Sequence, residues 1–141
     1  MKRGLLDVNV LLALAWPTHQ HHGAAHQWFR QESRHGWATC ALTQLAFVRL
    51  SSNPSFSTDA VSPQDAATLL AKLTAQAQHR YWENLPSVEA RGFKHATGHQ
   101  QVMDAYLVAL ARHHRGRVVT LDSALIAHAD GDETVVTTIK G

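Results

Sequence analysis

Cysteine is nearly absent: Cys40 is the only one in 141 residues. No disulfide can form within the chain, and a reducing, cytoplasmic setting is the expectation. Long hydrophobic runs are missing too. No stretch approaches the ~18 apolar residues of a membrane span, so no helical span is expected. The nearest approach is the start, MKRGLLDVNVLLALAW, which is basic and then apolar in the manner of a signal peptide. Asp7 and Asn9 interrupt it and no small-residue cleavage site follows, so it is expected to belong to the fold. A dominant charge is lacking as well. Thirteen Lys and Arg stand against eleven Asp and Glu, for a net +2. That balance is poor support, by itself, for a nucleic-acid partner. Apolar residues make up 45% and charged ones 17%, which excludes a disordered chain. Without repeats, low-complexity tracts or linkers, the length suits a single domain over residues 1–141.

What is present is an alternation of short β-branched or apolar runs with helical patterns. Arg3 to Asp7 reads as a buried strand, and Val8 to Trp16 as a helix stopped by Pro17. Thr18 to His35 is a more polar helix, with Ala25, Trp28 and Phe29 inward. Its His19, His22 and His26 share a face, which suits a transition metal less well than plain solvation, since no Cys or Glu completes a set. Trp37 to Cys40 is a second strand, and Thr43 opens a helix that Asn53-Pro54 ends. Ser62-Pro63 starts another helix. Arg80 to Leu85 is a third strand, and Val88 to Thr97 a small helix. Arg117 to Leu121, a helix over Ser123 to Ala129 and a strand over Glu133 to Thr138 complete the chain. The expected class is α/β, with a mainly parallel sheet of four or five strands covered on both faces.

Between the third and fourth strands, Val102 to Ala111 reads VMDAYLVALA, an apolar helix with one charge, Asp104. A buried carboxylate without a partner costs several kcal/mol or gives up its charge, so Asp104 needs a cation, a set of donors or a metal. Asp122 ends a strand and precedes a helical start, and Asp7 repeats that arrangement. Each alone is a good helix cap. In parallel sheets the carboxyl ends of the strands are where ligands bind, and crossover helices begin at that same edge. Asp7, Asp104, Asp122 and Gln44, from the start of the third helix, are therefore expected together. Nothing in a stability argument gathers three carboxylates, whereas a hard divalent cation such as Mg²⁺ or Mn²⁺ accounts for all three. Such an ion would lower the pKa of an attacking water and offset charge on a phosphoryl transition state. Asn9 and Thr120 stand where they could hold these carboxylates. Thr43 opens a helix at the same edge, and Arg49 further along it could meet a phosphate or a carboxylate.

The segments LLDVNVLLAL, TQLAFVRLSSNP, VMDAYLVALA and TLDSAL, in this order, resemble the PIN domain, and within it the VapC ribonuclease toxins. The resemblance covers essentially the whole chain. It implies a three-layer α/β/α fold and Mg²⁺- or Mn²⁺-dependent cleavage of RNA, typically tRNA or ribosomal RNA. It further implies a VapB-type antitoxin that blocks the acid pocket. By motif, Asp7, Asp104 and Asp122 correspond to the family's first, third and fourth acids, and Gln44 stands where the second, a glutamate, is expected. That departure keeps open a catalytically weak or silent module that binds RNA or protein. A phosphoacceptor receiver domain fits less well, because the first strand is followed by one acid where that fold wants a pair. The resemblance, together with Trp28, Phe29, Phe47 and Leu50 as surplus apolar bulk, predicts a homodimer.

Overall fold

Neighbouring residues of a strand point to opposite faces of a sheet. In this protein that alternation builds two cores. The computed structural model describes residues 1–141. Five strands, β1 (Gly4–Leu6), β2 (Trp37–Cys40), β3 (His79–Trp82), β4 (Arg117–Thr120) and β5 (Val136–Thr138), form one sheet in the order β3-β2-β1-β4-β5. Every pairing is parallel, with Leu5 opposite Ala38 on one side and Val118 on the other. Leu5, Ala38 and Val118 pack on one face, and Leu6, Trp37 and Val119 on the other.

The second of these faces is covered by α1 (Val8–Ala15), α2 (His22–Glu32), α3 (Ala41–Ser51) and α4 (Pro63–Thr74). The first is covered by α5 (Val102–His113) and by short 3₁₀ segments at Ser123–His128 and Glu133–Val135. The result is the expected three-layer α/β/α arrangement. The signal-like start of the chain is β1 and α1, with Leu5, Leu6, Val10, Leu11 and Ala13 fully buried.

Local chemistry explains the helix ends. Pro17 follows α1, and the ring N–H groups of His22 and His26 donate to the Ala13 and Leu14 carbonyls at 2.7 and 2.8 Å. Those carbonyls at the end of α1 have no partner within their own helix. The histidines are thus neither a metal set with His19 nor merely solvated; two of them finish α1. Gly36, at φ 93°, turns the chain into β2, a backbone conformation that favours glycine. Ser62 caps α4 by accepting from the Asp65 N–H at 3.0 Å, with Pro63 in the first position.

Several boundaries differ from expectation. Helix α2 begins at His22, because Thr18 to His21 are turns. Strand β3 runs His79–Trp82 because it pairs with β2 in a register that starts at Trp37 opposite His79. The region Val88 to Thr97 holds only a 3₁₀ turn at Ala90–Phe93, and Glu133–Val135 is a 3₁₀ turn before β5. The apolar residues expected to be surplus are core or pack on it. Phe47 is fully buried, Phe29 meets Trp37 edge to face with centroids 5.2 Å apart, and Trp28 and Leu50 pack against the same cluster. Two cores consume more apolar bulk than one, so these residues no longer motivate a homodimer.

Phe47 joins α3 to the sheet within that second core. Phe47→Ala is expected to destabilise the protein by about 3–5 kcal/mol, the usual loss for a buried aromatic. Chemical denaturation of the two forms measures it. A loss below about 1 kcal/mol would mean the core refills the space.

Candidate active site

The chain moves from β1 to β2 to β3 in one direction across the sheet. It then crosses back through α5 to put β4 on the other side of β1. The boundary between β1 and β4 is the place where the strand order reverses, and a crevice opens there at the carboxyl ends of the strands. Asp7 follows β1 directly and Asp122 lies two residues after β4. Helix α5 runs antiparallel to the strands, so its first turn, with Asp104, returns to the same edge.

A cleft of about 410 Å³ lies at this point. Asp7 and Asp104 line it, with Thr43, Arg49, Leu42 and Met103 among the other walls. Asp7 is 6% exposed. Its Oδ1 accepts from the Val8 N–H at 2.8 Å, so Asp7 caps α1, and its Oδ2 accepts from the Thr120 hydroxyl at 2.8 Å. That hydroxyl also accepts from the Asp122 N–H at 3.0 Å and from Asn9 Nδ2 at 3.2 Å. Asn9 Oδ1 in turn accepts from the Leu121 N–H at 3.2 Å. One hydroxyl and one amide thus tie together the two strand ends that carry acids. Asp122 is exposed, and its Oδ1 accepts from the Ala124 N–H at 2.9 Å.

Electrostatics sets Asp7 and Asp104 apart from ordinary caps. Burial raises the Asp7 carboxyl above its usual range; the bonds from Thr120 and Val8 oppose the shift, and the charge of Asp122 adds to it. Asp104 is pushed up to about 6, by burial first, then by Asp7 and then by Asp122. No Lys, Arg or His nitrogen lies within 4.0 Å of any of the three. Arg49 is exposed on the cleft wall and makes no ion pair with them. The side chains do not close into a cage: no three acidic, histidine or cysteine groups converge on one point. Hard oxygen donors that repel one another, half-withdrawn from water and open to it, suit a small divalent cation that keeps several of its own waters.

Gln44 is not brought to this cleft. Its amide donates to Thr39 Oγ1 at 3.0 Å, and that hydroxyl bonds His79 Nε2 at 2.8 Å. The side chain lines a separate recess with Val48, Leu70 and Tyr81. Because α3 begins at Ala41, residues 42, 46 and 49 face the acids while 41, 44 and 48 face α4. Thr43 lies at the cleft but is spent on the backbone, accepting from the Cys40 N–H and donating to its carbonyl, each at 3.1 Å. Helix α5 also departs from expectation: Val102 and Met103 are 47% and 50% exposed, so its first turn opens to solvent at the cleft.

Asp104 predicts a pH effect. Its folded carboxyl keeps its proton to higher pH than the unfolded one, so stability falls as pH rises from near 3.8 to about 6. The metal-free Asp104→Asn variant should lack this component and be more stable than the parent at pH 7. Urea denaturation at pH 4.5 and pH 7 tests this. A variant less stable than the parent at pH 7 would make Asp104 a structural hydrogen-bonding residue.

Comparison with known proteins agrees with this geometry. The PIN domain family profile matches residues 4–131. Ribonuclease VapC39 of Mycobacterium tuberculosis is 46% identical over 124 residues, 86% of this chain and 89% of that protein. Ribonuclease VapC38 of the same organism is 41% identical over 125 residues, covering 89% of each chain. Its Ribonuclease VapC29 is 39% identical over 132 residues, 94% of each. Matched along nearly its whole length, with acids at the carboxyl edge of a parallel sheet, this chain belongs to the PIN domain family and, within it, to the VapC ribonucleases.

Proposed function

We propose that this protein is a divalent-cation-dependent endoribonuclease of the toxin type, acting on tRNA or ribosomal RNA and restrained by a VapB-type antitoxin. The observation that supports the reading is that Asp7 and Asp104 line one cleft at the sheet's switch point, with Asp122 tied to Asp7 through Thr120 and no Lys, Arg or His nitrogen within 4.0 Å of any of them. The names of the relatives, ribonucleases all, supply the substrate class. Asp7, Asp104 and Asp122 would hold Mg²⁺, with Mn²⁺ as the other candidate, because both prefer carboxylate and water oxygens. When bound, the ion would supply an activated water and offset charge on the scissile phosphate.

The chain's own residues set the geometry. Val8 N–H and Thr120 fix both oxygens of Asp7, so its carboxylate meets a ligand without first having to be ordered. Asn9 locks Thr120 and the Leu121 backbone in place and so positions Asp122. Arg49, free of any acidic partner on the cleft wall, would take a non-bridging phosphate oxygen of the RNA. Exposed Leu45, Val102 and Met103 around the cleft offer apolar surface to the antitoxin or to a second copy of the chain. Gln44, bonded to Thr39, has no part in the reaction in this reading, so its lack of charge does not argue for a silent module.

The test is cleavage of a mixed tRNA and ribosomal RNA pool with Mg²⁺ or Mn²⁺, with and without chelator. Cleavage should need the metal. Asp104→Asn should lower it by more than about a hundredfold, since outer-shell losses alone cost about 10–100-fold. Metal-independent cleavage, or full activity in Asp104→Asn, would refute the reading. Gln44→Glu should leave the rate unchanged; a gain would put this position back among the acids.

A further inference from the structure

Helix α5 serves the acid cleft with the flank that carries Asp104 and Leu107. Its next flank, through Tyr106 and Ala109 to Arg112, forms one wall of a second cavity of about 420 Å³. The opposite wall is the 3₁₀ turn Ala90–Phe93 and Lys94. Three permanent cations line it: Arg91, Lys94 and Arg112. Arg91 pairs with Glu89 at 2.9 Å and Lys94 with Asp130 at 3.0 Å, where His95 also bonds at 3.1 Å. Arg112 has no carboxylate partner; its guanidinium reaches only the His128 carbonyl, at 3.4 Å. Both lining acids are thus already engaged, and an excess of positive charge remains. The floor, Ala105 and Ala109, is small, and Phe93 lines the same cavity.

Cations around a small floor take a phosphate, and an aromatic ring beside them takes a base. That pairing favours a single-stranded nucleic acid over an acidic peptide, which would have no use for the ring. Arg112 is two helical turns from Asp104, about 12 Å along the axis at about 1.5 Å per residue. Stacked nucleotides rise by about 3.4 Å per phosphate, so the two sites are a few nucleotides apart on one strand. We propose that this cavity is a backbone subsite for the RNA substrate, holding a phosphate on Lys94 and Arg112 a few nucleotides from the bond cut at the acids. The proposal rests on the ribonuclease reading and adds to it the path of the strand along α5.

The test is binding of a fluorescent oligouridylate by anisotropy over a range of salt, in the Asp104→Asn background so that no cleavage intervenes. Lys94→Gln with Arg112→Gln should weaken binding about tenfold and lower the slope of log Kd against log salt by about 0.7, the change for one phosphate charge no longer neutralised. Asp130→Asn should tighten binding, because it releases Lys94 from its carboxylate, and a merely damaged fold would not bind better. Lys72→Gln with Arg30→Gln, two exposed charges on α4 and α2, is the control for net charge. The proposal falls if the Lys94 and Arg112 double variant matches the control that removes two charges, or if Asp130→Asn does not tighten binding. If the parent cleaves RNA while these variants bind as it does, the subsite alone is lost. If no form binds RNA, the ribonuclease reading goes with it.

Discussion

A single hydroxyl holds the functional edge of this protein together. Thr120 ends β4 fully buried, donates a hydrogen bond to Asp7 and accepts from the Asp122 backbone and the Asn9 amide. Its donor and both its acceptor positions are used. Asp7 is thereby fixed at the end of β1, and the loop carrying Asp122 is drawn back over β4. Asp104 arrives separately, through the crossover helix. Burial first, and the neighbouring acids after it, raise the carboxyls of Asp7 and Asp104, and the two cores on either face of the sheet hold them in place nonetheless. Stability is given up at the site and recovered in the packing, as is usual where a ligand supplies what is missing.

Much of this is legible in the chain. Asp7 and Asp122 stand out because each follows a short apolar run and precedes a helix, and parallel strands deliver such positions to one edge. Asp104 stands out as the lone charge of an apolar helix. Asn9 and Thr120 stand close to those acids along the chain; Thr120 bonds Asp7 directly, whereas Asn9 bonds Thr120 and the Leu121 backbone and no carboxylate. The strand order is not legible, since no local pattern tells a chain to cross back past β1 after β3.

Gln44 shows where a sequence pattern stops short. It does lie at the start of a helix near the right edge, but a helix turns by about 100° per residue. A start at Ala41 instead of Thr43 turns the amide toward α4 and leaves Arg49 as the charged group of α3 on the cleft. The histidines depart from expectation for another reason: their partners, the last carbonyls of α1, lie across the Pro17 turn, and nothing in the spacing of His22 and His26 announces them. The cations along the second flank of α5 come from separate segments, Ala90 to Lys94 and Arg112, that only the tertiary fold joins.

If Asp7, Asp104 and Asp122 hold a divalent cation as proposed, the stability of the folded protein depends on that cation. Thermal melting of the protein at pH 7 against rising Mg²⁺ or Mn²⁺ tests this most directly, because a ligand that binds only the folded state raises the melting temperature by mass action. The account predicts a melting temperature that climbs with metal concentration in the parent and stays flat in Asp104→Asn. A parent indifferent to both metals, or a variant that responds equally, would contradict it.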